Sequence, residues 1–282
     1  MTDKVFHLGL TGFPLGHSLS PALHTAALQV MRLKGEYGLY PAAPETADLQ
    51  CLLERVRQGE LDGLNVTIPH KQTVLPLLDA LEPAARAAGA VNVIFRRDHL
   101  LIGDNTDLPG FLSDLQQQFP HLAVPGQRKA LVLGAGGAAR AVCAALHSAG
   151  WQLCLAARRP DQAAGLITDL RLSSAENLPL DAAGLSACGS VALIVNATPL
   201  GMAPNPQNNP WPASLPLPVG ACIYDLIYNP PATRLLQQAQ QAGLAASSGA
   251  GMLVEQAALA LERWTGRPAP RQVMKQVLNN WR

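Results

Sequence analysis

Three observations predict an α/β chain of two lobes. β- and α-type signals alternate through the first third of the sequence. The alternation restarts after a linker-like stretch at 120–127, with a glycine-rich turn between strand and helix, and two amphipathic helical patterns close the chain.

Residues 5–11 read as a buried strand, broken by Gly12-Phe13-Pro14-Leu15-Gly16. Ser20-Pro21 then opens a helix: Ser20 is expected to cap it by accepting an orphan N–H, and Pro21 sits where a missing N–H costs nothing. An extended piece at 37–40, a helix over 47–58, a strand at 64–67, and helices after Pro69 and Glu82 follow. Residues 90–96 and 99–102 bracket Arg97-Asp98 like a hairpin and end at Gly103-Asp104-Asn105-Thr106-Asp107, where the first lobe is expected to finish. The second lobe starts with a strand at 130–133, a glycine turn, a helix over 138–149 and a strand at 152–156, which is half of a dinucleotide-type fold. Val191-Ala192-Leu193-Ile194-Val195 is the continuous apolar run of a central parallel strand, and 222–227 is another. Seven prolines between 199 and 218 exclude regular structure there and predict a rim segment. Helices over 253–264 and 271–281 are separated by Gly266 and Pro268.

A length of 282 residues accommodates about two domains. Charged residues are 15% of the chain and hydrophobic ones 48%, a balance that folds rather than stays disordered. The 21 basic and 20 acidic side chains nearly cancel and form no long like-charge block, so neither nucleic acid nor a membrane surface is an expected partner. Five scattered cysteines, never in a C-x-x-C spacing, fit neither a zinc site nor a disulfide framework and point to a reduced, cytoplasmic setting. No apolar stretch is long enough to cross a membrane as a helix, and the first residues carry no signal-peptide pattern.

Leu133-Gly134-Ala135-Gly136-Gly137-Ala138-Ala139 follows a strand and opens a helix, the context in which a glycine-rich turn binds a nucleotide. Gly134 makes the tight turn, Gly136 lets backbone N–H groups approach a pyrophosphate, and the helix N-terminus favours that charge. The end of the next strand selects the nucleotide, because an acid there would grip the 2′-OH of NAD. The sequence instead reads Ala156-Ala157-Arg158-Arg159-Pro160, two guanidiniums suited to a 2′-phosphate, so NADP is expected. Nearby Asp161 could reach a ribose.

A reductase of a ketone also needs a proton donor for the developing alkoxide. None of the four tyrosines has a lysine four positions on, and no metal-ligand spacing occurs, so no metal site is expected and lysine is the leading candidate. Asn65-Val66-Thr67-Ile68-Pro69-His70-Lys71 places Lys71 just past a strand end, and Gly103-Asp104-Asn105-Thr106-Asp107 places Asp107 at another, so that both could line one cleft.

Seven motifs in order carry a resemblance to the shikimate dehydrogenase family along nearly the whole chain. They are Gly12-Phe13-Pro14 with His17-Ser18-Leu19-Ser20-Pro21, the stretch from Asn65 to Lys71, Gly89-Ala90-Val91-Asn92, Gly103 to Phe111, Leu133 to Arg140, Asn196-Ala197-Thr198-Pro199-Leu200-Gly201-Met202, and Gly251-Met252-Leu253-Val254-Glu255-Gln256. The resemblance implies reversible, NADPH-dependent reduction of 3-dehydroshikimate to shikimate on the route to aromatic amino acids, with Lys71 and Asp107 as the catalytic pair. It implies that Ser18, Ser20 and Tyr228 hold the ring carboxylate, and that Thr67, Asn92 and Gln256 meet ring hydroxyls with the catalytic pair. Gly134, Ala135, Gly136, Gly137, Ala138, Arg158, Arg159, Thr198, Met202 and Gly249 are the expected cofactor-binding positions. Thr25, Val93 and Ala157-Arg158-Arg159 depart from the usual family pattern, the last keeping one family arginine and adding another.

Residues 1–106 joined by 250–282 are then expected to form the α/β substrate-binding lobe, and 107–249 a Rossmann-like NADP-binding lobe. The protein is expected to act on a small-molecule substrate as a monomer or homodimer. Two alternatives stand beside this reading: a quinate/shikimate dehydrogenase using NAD, and a non-catalytic ligand-sensing relative.

Overall fold

The computed structural model describes residues 4–16, 18–44, 47–123 and 128–281. His17 and residues 124–127 of the linker-like stretch lie outside the described residues. The chain divides into two compact units, Met1–Gly110 with Val254–Arg282, and Phe111–Leu253. These divisions fall a few residues beyond those read from sequence, and Asp107 belongs to the first unit.

The first unit is built on a six-stranded mixed sheet. Its strands are β1 (Val5–Gly12), β2 (Lys34–Pro41), β3 (Gly63–Val66), β4 (Ala80–Leu81), β5 (Val93–Arg97) and β6 (Leu100–Asp104), in the order β2-β1-β3-β5-β6-β4. β1 runs parallel to β2 and β3, while β5 runs antiparallel to β3 and β6. β5 and β6 form the expected hairpin, with Asp98 at φ 58° in the turn, a conformation Asp tolerates better than most side chains.

Helix α1 (Ser20–Val30) buries Leu23, His24, Ala27 and Leu28, and α2 (Asp48–Gln58) buries Leu49, Leu52, Leu53 and Val56 at helical spacing. Short helices α3 (His70–Thr73) and α4 (Pro83–Ala88) follow, then α5 (Asp107–Gln118), whose first turn belongs to this unit and whose remainder, from Phe111, belongs to the second. At the other end of the chain α10 (Ala250–Thr265) returns to this unit, where the Trp264 indole donates to the Ile94 carbonyl at 3.1 Å, and α11 (Arg271–Trp281) packs against α1.

The expected cap on α1 differs. Leu19 already has helical angles and occupies the N-cap position, so Ser20 lies inside the first turn and its own N–H is taken by Ser18 Oγ at 3.3 Å. Ser18, two residues earlier, does the work expected of Ser20.

The second unit is a parallel six-stranded sheet of β7 (Lys129–Leu133), β8 (Gln152–Ala157), β9 (Glu176–Pro179), β10 (Leu193–Asn196), β11 (Cys222–Asp225) and β12 (Ala246–Ser248). Its order is β12-β11-β10-β7-β8-β9, all pairs parallel. Counted within the unit this is the 3-2-1-4-5-6 order of a Rossmann sheet, with its topological switch between β7 and β10. Helices α6 (Gly137–Ser148), α7 (Pro160–Asp169), α8 (Ala182–Ala187) and α9 (Arg234–Gln241) complete it.

The proline-rich segment is irregular as expected, but it is more than a rim: Trp211 and Leu217 are buried in the core with Leu131, Ile194 and Ile223. All five cysteines are free, and four are buried. No described helix is long and apolar enough to cross a membrane, and the described residues hold no group of three or more His, Cys, Asp or Glu able to bind a metal.

His24 links packing to pH. Its ring is fully buried, stacked on Tyr37 with centroids 4.3 Å apart, and neither ring nitrogen has a hydrogen-bond partner. Burial lowers its pKa to about 3. Between that value and the ordinary 6.5 the unfolded chain binds a proton that the folded chain refuses, so this group removes stability as pH falls below 6.5, at up to about 1.4 kcal/mol per pH unit. His24→Phe is therefore expected to flatten the decline of the urea midpoint between pH 6.5 and 4.5. Parallel profiles for the two proteins would assign the acid sensitivity elsewhere.

Candidate active site

In the first unit the polar ends of β3, β5 and β6 converge. β3 ends at Val66, and Pro69 opens the single turn of α3, so Lys71 is held on a short, rigid exit from the sheet. The backbone of Lys71 is fixed by the Val91 N–H, which donates to its carbonyl at 2.7 Å. Asp107 is the first residue of α5, where the unpaired N–H groups of the helix favour a carboxylate. Lys71 Nζ donates to Asp107 Oδ2 at 2.6 Å, with side chains only 16% and 7% exposed. These two groups, 36 residues apart in sequence, form one ion pair.

Asn92 holds the pair in place. Its Nδ2 donates to Asp107 Oδ1 at 2.9 Å and to Thr106 Oγ1 at 3.0 Å, while its Oδ1 accepts the Thr106 N–H at 2.7 Å. One carboxylate oxygen of Asp107 is thus fixed by Asn92, and the other faces the ammonium. Gln256 Oε1 lies 3.5 Å from Asn92 Nδ2. It can come this close because a Cβ on Gly110 would be 2.9 Å from the Gln256 backbone nitrogen, so the bare glycine lets α10 approach α5 there.

Ser18 and the buried Ser20 lie at the start of α1, and Thr67 is half-buried at the exit of β3. The Ser20 hydroxyl bonds to the Tyr37 phenol, which donates to Asn65 Oδ1 at 2.7 Å. Asn65 Nδ2 in turn donates to the Asn92 carbonyl at 3.0 Å. The serines are thereby wired to the ion-pair cluster through Tyr37 and Asn65. Sequence reading assigned no role to Tyr37 or Thr106. Tyr37 lies on edge strand β2, and the only local signal for it is a large side chain at an inward-facing position opposite Leu8.

Tyr228 belongs to the second unit, on the segment after β11, where burial pushes its phenol pKa upward. On the same unit Gly134 adopts φ +109° directly after β7, and its N–H donates to the Ala156 carbonyl at 2.8 Å. A Cβ there would lie 3.1 Å from the Ala197 carbonyl oxygen and from Thr198 Cγ2, so the turn sits at the switch between β7 and β10. Gly136 is the extended N-cap of α6, and a Cβ on it would meet nothing within 4 Å. Ala135, Gly137 and Ala138 are half-buried beside it. Open space over the free N–H groups of a twelve-residue helix fits a pyrophosphate.

Arg158 and Arg159 are exposed just past the end of β8, and neither has an ion-pair partner among the described residues, which fits a 2′-phosphate. The Thr198 N–H and hydroxyl both bond to Asn196 Oδ1, at 3.0 and 2.7 Å, and Met202 is 43% exposed on the same loop. Gly249 has a packing requirement of its own, because a Cβ there would lie 2.1 Å from the Leu226 carbonyl oxygen.

Residues 10–94 match the shikimate dehydrogenase substrate binding domain, and residues 249–278 match the shikimate 5'-dehydrogenase C-terminal domain. The NADP(+) shikimate dehydrogenase of Synechocystis sp. is 42% identical over 99% of this chain and 96% of its own, and that of Salinibacter ruber is 43% identical over 95% of each. The crystal structure of shikimate 5-dehydrogenase from Thermus thermophilus, in complex with NADP(H) and shikimate, superposes with a TM-score of 0.83 at 37% identity, covering 98% of this chain and 99% of that one. With relatives this similar over almost its entire length, the chain belongs to the shikimate dehydrogenase family.

Proposed function

We propose that this chain is an NADP-dependent shikimate dehydrogenase, an oxidoreductase that reversibly reduces 3-dehydroshikimate to shikimate. The observation that carries the reading is the Lys71–Asp107 ion pair set among short polar side chains. A small polyhydroxylated acid needs such convergent donors and acceptors, since each one left unpaired costs affinity.

When bound, NADPH supplies the hydride for the carbonyl carbon. Lys71 Nζ then gives its proton to the carbonyl oxygen as alkoxide character develops there, and it is reprotonated from water. Asp107 orients the ammonium through Oδ2 and accepts a hydrogen bond from a neighbouring ring hydroxyl. Asn92 keeps Asp107 from rotating, and with Thr67 and Gln256 it reads the ring hydroxyls, exchanging its Nδ2 bond to Thr106 Oγ1 for one of them. Ser18, Ser20 and Tyr228 take the ring carboxylate. For Ser20 this requires its hydroxyl to turn from Tyr37, a cost near that of one exchanged hydrogen bond. Residues Gly134 to Ala138 cradle the pyrophosphate, Arg158 and Arg159 pair the 2′-phosphate, and Thr198, Met202 and Gly249 complete the nucleotide site. The protein works in the cytoplasm on small molecules.

Initial rates with shikimate and quinate against NADP and NAD test this reading. The highest kcat/KM is expected for shikimate with NADP. Equal efficiency with both nucleotides would remove the NADP preference in favour of the NAD-using quinate/shikimate alternative, and no turnover in any combination would leave a ligand-sensing protein.

A further inference from the structure

Asp225 is a carboxylate with no exposure to solvent at the end of β11, and the roles assigned so far do not use it. Burial pushes its pKa up to about 6, so keeping an acid at this position has a cost. Three donors surround it. Asn196 Nδ2 reaches Oδ1 at 2.9 Å, the Ile227 N–H reaches the same oxygen at 3.1 Å, and Thr233 Oγ1 donates to Oδ2 at 2.6 Å.

Each donor belongs to, or immediately precedes, a loop that leaves the C-terminal edge of the parallel sheet. Asn196 closes β10, and through its Oδ1 it accepts both the N–H and the hydroxyl of Thr198. The Thr198 hydroxyl then accepts the Leu200 N–H at 3.1 Å. On the other side, the Ile227 N–H fixes the backbone directly before Tyr228, and Thr233 ends the loop by capping α9 through the Leu236 N–H. The two loops are tied a second time by the Ala203 N–H, which donates to the Asn229 carbonyl at 3.2 Å. Removing the carboxylate would take an anchor from both loops at once, leaving the Ala203–Asn229 tie, the Asn196–Thr198 bonds and the ladder of the sheet beneath.

We propose that Asp225 is a positioning residue that, through Asn196 and Thr233, holds the loops after β10 and β11 so that Thr198 is presented to the nucleotide and Tyr228 to the substrate carboxylate. The proposal rests on the functional reading above. It adds that one buried acid orders a cofactor loop and a substrate loop at once.

Asp225→Asn tests it with little change of shape. An amide offers one acceptor oxygen where the carboxylate offers two. With that oxygen kept on Asn196 Nδ2 and the Ile227 N–H, its NH2 meets Thr233 Oγ1, so the charge-assisted bond from Thr233 is lost and only a weaker neutral one, with the hydroxyl turned to accept, can replace it. NADPH binding, followed by quenching of tryptophan fluorescence without substrate, is expected to weaken about tenfold, and KM for shikimate to rise by a similar factor with kcat changed less. Thr233→Val is expected to reproduce both shifts, and Thr233→Ser to restore them. A lowered unfolding midpoint with unchanged NADPH affinity and unchanged KM would overturn the proposal and leave Asp225 a purely structural residue. Should Asp225→Asn fail to fold, the Thr233 pair decides alone: equal NADPH affinity and KM in the Val and Ser variants would refute it. Wild-type protein that binds no NADPH would instead refute the functional reading.

Discussion

Lys71→Ala is expected to lower kcat for 3-dehydroshikimate reduction by roughly 10²–10⁴ while KM changes less, the signature of losing a general acid. The expectation follows from how little else near the ion pair can give up a proton. Asn92 and Gln256 are amides, and the Thr106 hydroxyl and N–H are both committed to Asn92. The phenol of Tyr37 is committed to Asn65 at 2.7 Å. Lys71 is the cationic side chain bonded to Asp107, which makes it the proton source as well as an anchor.

Truncation also leaves the 7% exposed carboxylate of Asp107 without its cation, so part of any loss could come from rearrangement rather than chemistry. Two measurements separate these. The unfolding midpoint and NADPH affinity of Lys71→Ala should stay near wild type if the loss is chemical. Asp107→Asn should lose less than Lys71→Ala, because an amide oxygen at 107 can still accept from Asn92 while its NH2 opposes the ammonium, which spoils orientation and keeps the acid. A KM for 3-dehydroshikimate that rises with kcat intact would show that Lys71 only binds.

The parts of this site legible in sequence were those at strand exits. Lys71 follows β3, Asp107 follows β6, and the glycine turn follows β7, and each is announced by an apolar run ending in Gly, Pro or a polar cluster. What sequence did not reveal depends on contacts between distant positions. Tyr37 meets Asn65 across 28 residues and Asp225 meets Asn196 across 29, and neither pairing leaves a local periodic trace.

Elements were missed for a related reason. β9 is an exposed edge strand reading Glu-Asn-Leu-Pro, β12 is three small residues, and α8 has only six residues behind an Asp181 cap. Parallel pairing to β8 and β11 makes the first two strands, with no apolar alternation of their own. Helix α5 was hidden by Pro109 and Gly110 in its first turn, where both are tolerated, although they read as breakers. The Ser20 cap failed because the backbone turned helical one residue early, which side-chain preference cannot foresee.

Replacing both Arg158 and Arg159 with Ala is expected to weaken NADPH binding by about 10- to 100-fold while leaving NADH affinity nearly unchanged. The location argues that these arginines are not there for stability. Arg159 is the N-cap residue of α7 with no capping bond from its side chain, and both guanidiniums sit at the positive end of that helix, where a cation is disfavoured. Neither has an ion-pair partner among the described residues, and both are exposed. The double variant should therefore unfold at the same temperature as wild type or slightly higher, even as it loses the cofactor. A phosphate dianion bound at an exposed turn is also screened by salt, so wild-type affinity for NADPH should fall more steeply with ionic strength than affinity for NADH, and the variant should lose that difference. Equal weakening of both nucleotides, or a lowered unfolding temperature, would mean that the turn serves packing, and the preference for NADP would then need another source.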